Sequence, residues 1–178
     1  MVEGCRHHDR KAQRALYDAF APMAMGVCMR YMHDREEARD LMQEGFIRVF
    51  ERIGQVKEAA QLGGWIYRVM VNVCIKHYRR QMRRVKIVLS EQWSAVSDAT
   101  QAVTQLNAEH SAQNTSEAVV EALQKLAPQQ RVVFNLIAVE EYDYAEAAKK
   151  LRCSEVNIRV LYSRAKKELR NLLKQDIA

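Results

Sequence analysis

Residues 62–86 read LGGWIYRVMVNVCIKHYRRQMRRVK, and this stretch decides what the rest of the chain can be. Its apolar residues recur at helical spacing, which predicts an amphipathic helix with one face in a protein core. The apolar positions are Leu62, Trp65, Ile66, Val69, Met70, Val73 and Cys74. The remaining positions are strongly basic, and no acidic residue occurs from Ala59 to Ser90. A face of this charge favours a polyanionic ligand.

Aromatic and amide side chains lie among the cations of this helix. Tyr67, Asn72, His77 and Tyr78 are the interleaved residues. Aromatic rings stack on unpaired bases, so the pattern is typical of a surface that holds a single strand. The competing interpretation is a solvated basic face without a ligand. Trp65 has two interpretations, because its helical spacing fits a position in the core as well as a position on the ligand-binding face.

A second basic segment follows at the C-terminal end of the chain. The residues from Asp143 to Leu151 predict a short helix with Asp143 as N-cap and Glu146 at the capping-box position. After the turn Arg152-Cys153-Ser154, a longer helix is predicted to run to about Lys174. Short helix, three-residue turn and longer basic helix are the proportions of a helix-turn-helix, whose second helix enters the major groove of duplex DNA. The alternative is an ordinary helical hairpin with solvated lysines.

Composition narrows the class of protein. The chain has 178 residues and a formal net charge of +6. It has only 6 Gly and 2 Pro and is rich in Ala, Leu, Arg, Lys, Glu and Gln, which favours an all-α fold. The four cysteines have no CxxC spacing, and a metal site at Cys5, His7 and His8 is less expected than a flexible polar terminus. The sequence contains no signal peptide, no apolar run long enough for a membrane span and no recognisable catalytic or phosphate-binding motif. We therefore expect a cytoplasmic protein that is not an enzyme and carries no cofactor or metal.

The predicted organisation is two small helical bundles joined by a flexible linker. The first spans residues 9–86 and contains an amphipathic helix from Asp9 to about Met32, with Pro22 inside it, and a second from Arg35 to about Ile53 with Asp34 as N-cap. The helical spacing of its apolar residues, Phe46 among them, places one side of the second helix in the core. The outer face of this helix has an acidic bias, which indicates either plain solvation or docking of a basic partner. Residues 87–116 are polar and include Trp93, so they are predicted to be the linker. Residues 117–174 form the second bundle, in which Pro128 begins a helix that buries its apolar residues. Those residues are Val132, Val133, Leu136, Ile137 and Val139.

Three segments in this order resemble the sigma factors of bacterial RNA polymerase. DREEARDLMQEGFIRVFERI and GGWIYRVMVNVCIKHYRR are similar to the second conserved region of that family. LAPQQRVVFNLIAVEEYDYAEAAKKLRCSEVNIRVLYSRAKKELRNLL is similar to the fourth region. The short linker is typical of the extracytoplasmic-function group, and the likeness extends over nearly the whole chain.

The resemblance implies functions for particular positions. Four residues are implied to bind core polymerase, at the clamp helices of its largest subunits. They are Asp40, Gln43, Glu44 and Phe46. Recognition and melting of the −10 promoter element is implied for Trp65, Tyr67, Arg68, Asn72, Lys76, Arg79 and Arg80. Recognition of the −35 duplex is implied for Asn157, Arg159, Val160, Ser163, Arg164 and Lys167. The implied partners are core RNA polymerase, promoter DNA and, as a further candidate, an anti-sigma factor; no small-molecule substrate is implied.

The chain departs from the family pattern at two places. Arg152 stands where family members usually carry glycine, so a left-handed conformation there would cost about 1 kcal/mol. Val160, Leu161 and Tyr162 stand where the family often has small polar and basic residues. Base preference at the −35 element therefore stays open.

Two other functions remain open from the sequence. The chain could be a helix-turn-helix transcriptional regulator that acts without stable association with core polymerase, its N-terminal bundle serving to sense or dimerise. It could also be a helical adaptor with no nucleic-acid ligand. The first predicts sequence-specific binding by the free protein, and the second predicts no salt-dependent DNA binding at all.

Overall fold

The computed structural model describes residues 1–92 and 115–175, with side chains described for residues 1–84 and 119–173. Eight α-helices lie in these ranges, and no strand is present within them. They are α1 (Val2–Arg6), α2 (Arg10–Tyr31), α3 (Arg35–Arg52), α4 (Leu62–Gln92), α5 (Thr115–Lys125), α6 (Pro128–Phe134), α7 (Tyr144–Leu151) and α8 (Glu155–Gln175). Short 3₁₀ turns occur at Ile53–Gln55 and Ala59–Gln61, and α6 continues into a π-helical turn at Asn135–Val139. The predicted all-α class is confirmed.

The chain divides into two compact units, Met1–Lys76 and His77–Ala178. This boundary lies inside α4, whereas the first domain was predicted to end at residue 86. Helix α4 continues to Gln92, six residues into the predicted linker, and α5 begins at Thr115. Residues 93–114 of the predicted linker, including Trp93, lie outside the described residues. Among the described helices, none is long and apolar enough to cross a membrane.

The first unit packs α2, α3 and the N-terminal part of α4 around one core. Asp9 and Asp34 cap α2 and α3, since their side chains accept hydrogen bonds from the backbone N–H of Lys11 and Glu37. The fully buried side chains include Leu16, Val27, Val49, Ile66, Met70 and Val73. The two helices α3 and α4 approach closely at Gly45, where a Cβ atom would lie 2.8 Å from Cε of Met70 and closer still to its Sδ. Only a residue without a side chain permits this approach.

The N-terminus is ordered, in contrast to the predicted flexible terminus. Helix α1 covers Val2–Arg6, and Cys5 is buried. Arg6 donates from Nη2 to the backbone oxygen of Val56 at 2.6 Å, which ties this short helix to the segment after α3. Because a five-residue helix is too short to be stable alone, its contacts with the unit account for its presence.

The second unit contains α5 to α8, and a buried arginine joins α5 to α6. Arg131 donates to the backbone oxygens of Leu123, Gln124 and Leu126, at 2.8, 2.6 and 2.9 Å. These carbonyls lie at the C-terminus of α5 or just after it, where the helix dipole favours a cation. The carbonyl of Leu123 also accepts from the backbone N–H of Leu126 at 3.2 Å. The buried guanidinium of Arg131 thus caps the C-terminus of α5.

The helix-turn-helix is present with its predicted start signal. Asp143 and Glu146 form a complete capping box at the N-terminus of α7. The buried stripe of α8 includes Ile158, Ala165 and Leu169, as predicted. One predicted core position, Val139, is 39 % exposed. It lies in the π-helical turn, where the wider helix shifts side chains away from the 3.6-residue period used for the prediction.

Candidate nucleic-acid interface

Helix α4 presents a row of exposed polar and basic side chains. Arg68, Asn72, Lys76 and Arg80 follow one another at intervals of four residues, and all four are exposed. Side chains four apart lie on the same side of a helix, so these residues form a continuous strip, here called the α4 row. Of the remaining predicted −10 residues, Trp65 and Arg79 are half-buried beside the row. Tyr67 is also half-buried, but it directly precedes Arg68 and so points away from the row. The row can contact phosphates and bases along a single strand.

Arg30 of α2 fixes the side chain of Tyr67 in α4. Arg30 donates from Nη2 to the hydroxyl of Tyr67 at 2.8 Å, and its guanidinium carbon lies 5.8 Å from the centre of the same ring. Both contacts hold the ring in one orientation. Arg30 was not predicted from the sequence, because the two residues are 37 positions apart and no local pattern joins them.

Raised pKa values keep two groups of α4, Tyr78 and Cys74, in their neutral forms. Burial raises the pKa of Tyr78 to about 12, so its hydroxyl keeps its proton at neutral pH. The hydrogen bond to Cys28 and burial raise the pKa of Cys74 well above its usual value, and the two sulfur atoms are 4.0 Å apart. The charge that α4 offers to a ligand therefore comes from its arginines and lysines.

The outer face of α3 carries the predicted polymerase-binding residues, with one exception. Asp40 and Gln43 are exposed, and Glu44 is half-buried and paired with Arg48. Phe46, in contrast, is 3 % exposed and packs its ring 4.6 Å from that of Tyr17. Phe46 therefore belongs to the core beneath the face, as its periodic spacing predicted, and does not offer its ring to a partner.

An exposed isoleucine lies on the same outer face and was not singled out from the sequence. Ile47 is 58 % exposed and follows Gln43 by four residues. The signal was available, because this spacing places it directly beside Gln43 on the helix surface. An apolar side chain among carboxylates and amides is a common feature of protein–protein contacts.

The predicted −35 residues all lie on the exposed side of α8. Asn157, Arg159, Val160, Ser163, Arg164 and Lys167 are exposed. They lie away from the stripe that contains the buried Ile158, Ala165 and Leu169. The side chain of Ser154 caps the helix by accepting from the backbone N–H of Asn157 at 3.3 Å. The exposed side of α8 is thus one continuous surface, of the kind that the second helix of a helix-turn-helix presents to the major groove of DNA.

Arg159 is held by its neighbours within the second unit. Its Nε donates to Oε1 of Glu155 at 3.2 Å, and its guanidinium carbon lies 4.9 Å from the ring centre of Tyr144. The hydrogen bond to Glu155 raises the pKa of Arg159 above its usual range. The two contacts hold the guanidinium of Arg159 close to Glu155 and Tyr144.

The turn between α7 and α8 adopts the conformation that glycine would favour. Arg152 has φ 58° and ψ 48°, and the backbone N–H of Cys153 donates to the oxygen of Ala148 at 3.1 Å. The sequence left the conformation of this turn open. The structure shows it to be left-handed, and a residue with a Cβ adopts that conformation at a cost in stability.

Metal-binding side chains are not grouped in the described part of the chain. No three His, Cys, Asp or Glu side chains there are placed to hold an ion. At the site considered from the sequence, Cys5 is buried and His7 lies 3.3 Å from a carboxylate oxygen of Glu3.

Two family models match the chain, one in each half. The model for Sigma-70 region 2 matches residues 16–84, and the model for Sigma-70, region 4 matches residues 116–169. Together they cover more than half of the chain, and they contain α3, α7 and most of α2 and α8. Their order is the order expected from the sequence.

Curated relatives of the chain are sigma factors from several bacteria. The chain is 27 % identical over 168 residues to ECF RNA polymerase sigma factor SigX of Bacillus subtilis, a match covering 91 % of this chain and 85 % of the relative. It is 26 % identical over 138 residues to SigM of Mycobacterium tuberculosis, covering 78 % and 65 %. The match to RNA polymerase sigma-H factor of Pseudomonas aeruginosa is 29 % identical over 84 residues and covers 47 % and 44 %. The matched segments thus span about half to two thirds of the last two relatives.

A solved structure shares the fold. It is the sigma factor RpoE in complex with the anti-sigma factor NepR from Bartonella quintana, at a TM-score of 0.51 and 20 % identity, covering 92 % of this chain and 98 % of that one. At this identity the likeness concerns the fold alone. On the two region models and the relatives that match most of its length, the chain belongs to the sigma-70 family of bacterial RNA polymerase sigma factors, in its extracytoplasmic-function group.

Proposed function

We propose that this chain directs core RNA polymerase to promoters and starts transcription by recognising −10 and −35 elements and opening the strands. Residues 9–86 act as the region-2-like domain on core polymerase and the −10 element. Residues 117–174 act as the region-4-like domain on the −35 duplex, and residues 87–116 connect the two. The match of both sigma-70 regions, in order, supports this division.

The observation that carries the proposal is the contrast between two exposed basic surfaces. The α4 row has amide and aromatic neighbours and offers stacking as well as charge. The exposed side of α8 belongs to a helix-turn-helix, a motif shaped for the major groove. One chain therefore has a surface for an opened strand and another for a duplex, which is the combination that promoter opening needs.

The outer face of α3 is the proposed contact with core polymerase. Asp40 and Gln43 are exposed there, with Ile47 beside them. A partner with basic and apolar side chains fits such a face. Phe46 supports this contact from beneath by packing against Tyr17.

The chain itself catalyses no reaction in this proposal. Strand opening is driven by the binding free energy of the α4 row for bases that have left the duplex. We place the protein in the cytoplasm, where core polymerase and promoter DNA are found. The RpoE structure contains an anti-sigma factor, and a protein of that class is a candidate partner here as well.

The test is transcription in vitro with purified core polymerase on a library of genomic fragments. We expect transcripts that begin at defined positions and require both the chain and core enzyme. Absence of any promoter-dependent transcript from a folded protein would refute the proposal.

A mobility shift with and without core polymerase distinguishes the competing helix-turn-helix regulator. A regulator would bind its site tightly as the free chain, whereas a sigma factor requires core enzyme. The match to Sigma-70 region 2 over residues 16–84 does not favour the regulator, because that half would then have no polymerase to bind.

A further inference from the structure

Two valines occupy the centre of the exposed side of α8. Val156 is 71 % exposed and Val160 is 41 % exposed. They are four residues apart and lie on the side opposite the buried Ile158. Single exposed apolar residues are ordinary on a protein surface. Two exposed valines one helical turn apart, on the second helix of a helix-turn-helix, form an apolar patch that a ligand can contact.

The charges around the valines indicate what that ligand is. Asn157 and Arg164 border the pair on one side of the helix, and Arg159 and Lys166 border it on the other. All four are exposed. An apolar strip between rows of polar and cationic side chains complements a surface that is anionic at its edges and has apolar points at its centre.

The major groove of DNA has this character. Phosphates line its edges, and the apolar group that it displays on base edges is the C5-methyl of thymine. Arg159, which borders the valine pair, is already bonded to Glu155 and stacked on Tyr144. A valine side chain has no hydrogen bond to exchange, so the exposed Val156 and Val160 can approach base edges as they stand.

The spacing of the valines also fits the base-pair step. Residues four apart on a helix are separated by about 6 Å along its axis. Base pairs follow one another at about 3.4 Å. Two side chains so placed reach methyl groups within about two base-pair steps of each other.

From these observations we infer that Val156 and Val160 read thymine methyl groups in the major groove of the upstream promoter element. The inference rests on the proposed function and deepens it, because it names the base that the second domain selects. It predicts one or two thymines in the upstream element whose methyl groups contribute to affinity.

The experiment removes the methyl groups and nothing else. Promoters obtained with the holoenzyme are resynthesised with single thymine-to-deoxyuridine replacements in the upstream element, and holoenzyme affinity is measured by competition. We expect about a fourfold loss at each methyl that a valine contacts, the value of burying one methylene-sized group. Deoxyuridine keeps the pairing, so the loss reports the methyl alone.

The protein side of the test uses Val156→Ala and Val160→Ala. Each should bind the thymine promoter more weakly and lose the deoxyuridine penalty at one position. Both sites are exposed and alanine favours the helix, so the variants should fold, which a thermal melt checks. Val139→Ala is the matched control, because Val139 is an exposed valine outside α8, and it should retain the full penalty.

The possible outcomes separate the inference from the proposed function. A holoenzyme that transcribes from defined promoters but is indifferent to deoxyuridine overturns the inference alone. A penalty that persists unchanged in both valine variants also overturns it. Absence of promoter-dependent transcription overturns the proposed function and the inference with it.

Discussion

Arg152 has a left-handed backbone conformation, which is unfavourable for a residue with a Cβ atom. Its φ of 58° lies in the left-handed region, which costs a residue with a Cβ about 1 kcal/mol relative to glycine. We predict that Arg152→Gly raises the free energy of unfolding by about 1 kcal/mol, measured by chemical denaturation of the full chain.

A matched variant separates this effect from the loss of charge. Arg164 is also an exposed arginine, but it lies inside α8, where glycine costs about 1 kcal/mol. Arg164→Gly should therefore destabilise the protein. If both variants lose stability, the left-handed turn is not a strained position.

At the residue scale, burial could be predicted from periodicity more reliably than contacts could. The spacing of Phe46 predicted a core position, and its 3 % exposure agrees. The resemblance alone had assigned it to a partner surface. The pairing of Arg30 with Tyr67 could not be predicted, because it depends on how α2 and α4 pack, which no local sequence pattern encodes.

Two glycines in neighbouring helices should respond in opposite directions to the same substitution. A methyl group added at Gly26 in α2 would have no atom within 4 Å, whereas one added at Gly45 in α3 would overlap Sδ of Met70. Gly26→Ala should stabilise the first unit by about 0.5–1 kcal/mol. Gly45→Ala should destabilise it by about 1–3 kcal/mol, because Met70 is fully buried and cannot move aside freely. Thermal melts of both variants compare the two effects.

A second substitution tests whether the clash itself is the cause. Met70→Val removes the far end of the side chain, so it should cost less in the Gly45→Ala background than in the native chain. Equal costs in the two backgrounds would show that Gly45 matters for a reason other than contact between α3 and α4.

At the element scale, the long periodic helices and their caps were predictable. Asp34 and the Asp143/Glu146 pair mark helix starts that the structure contains. Helix α1 was missed because its five residues have no periodicity of their own and depend on a contact from Arg6 to Val56. The π-helical turn at Asn135–Val139 was missed because periodic reasoning assumes 3.6 residues per turn.

At the scale of the whole molecule, two basic surfaces are proposed to do different work. The α4 row is to hold an opened strand, and the exposed side of α8 is to hold a duplex. The sequence already indicated both surfaces, because charge and periodicity are local properties. Contacts between helices, such as that of Arg30 with Tyr67, required the structure.

Permanganate reactivity of promoter thymines tests this division most directly, because the reagent attacks unpaired thymines. The variant Arg68→Ala/Asn72→Ala/Lys76→Ala removes three exposed side chains of the α4 row and should leave the fold intact. With core polymerase and a promoter, the native chain should give reactive thymines around the −10 element. The variant should occupy the upstream element but leave those thymines paired. Full opening by the folded variant would contradict the account.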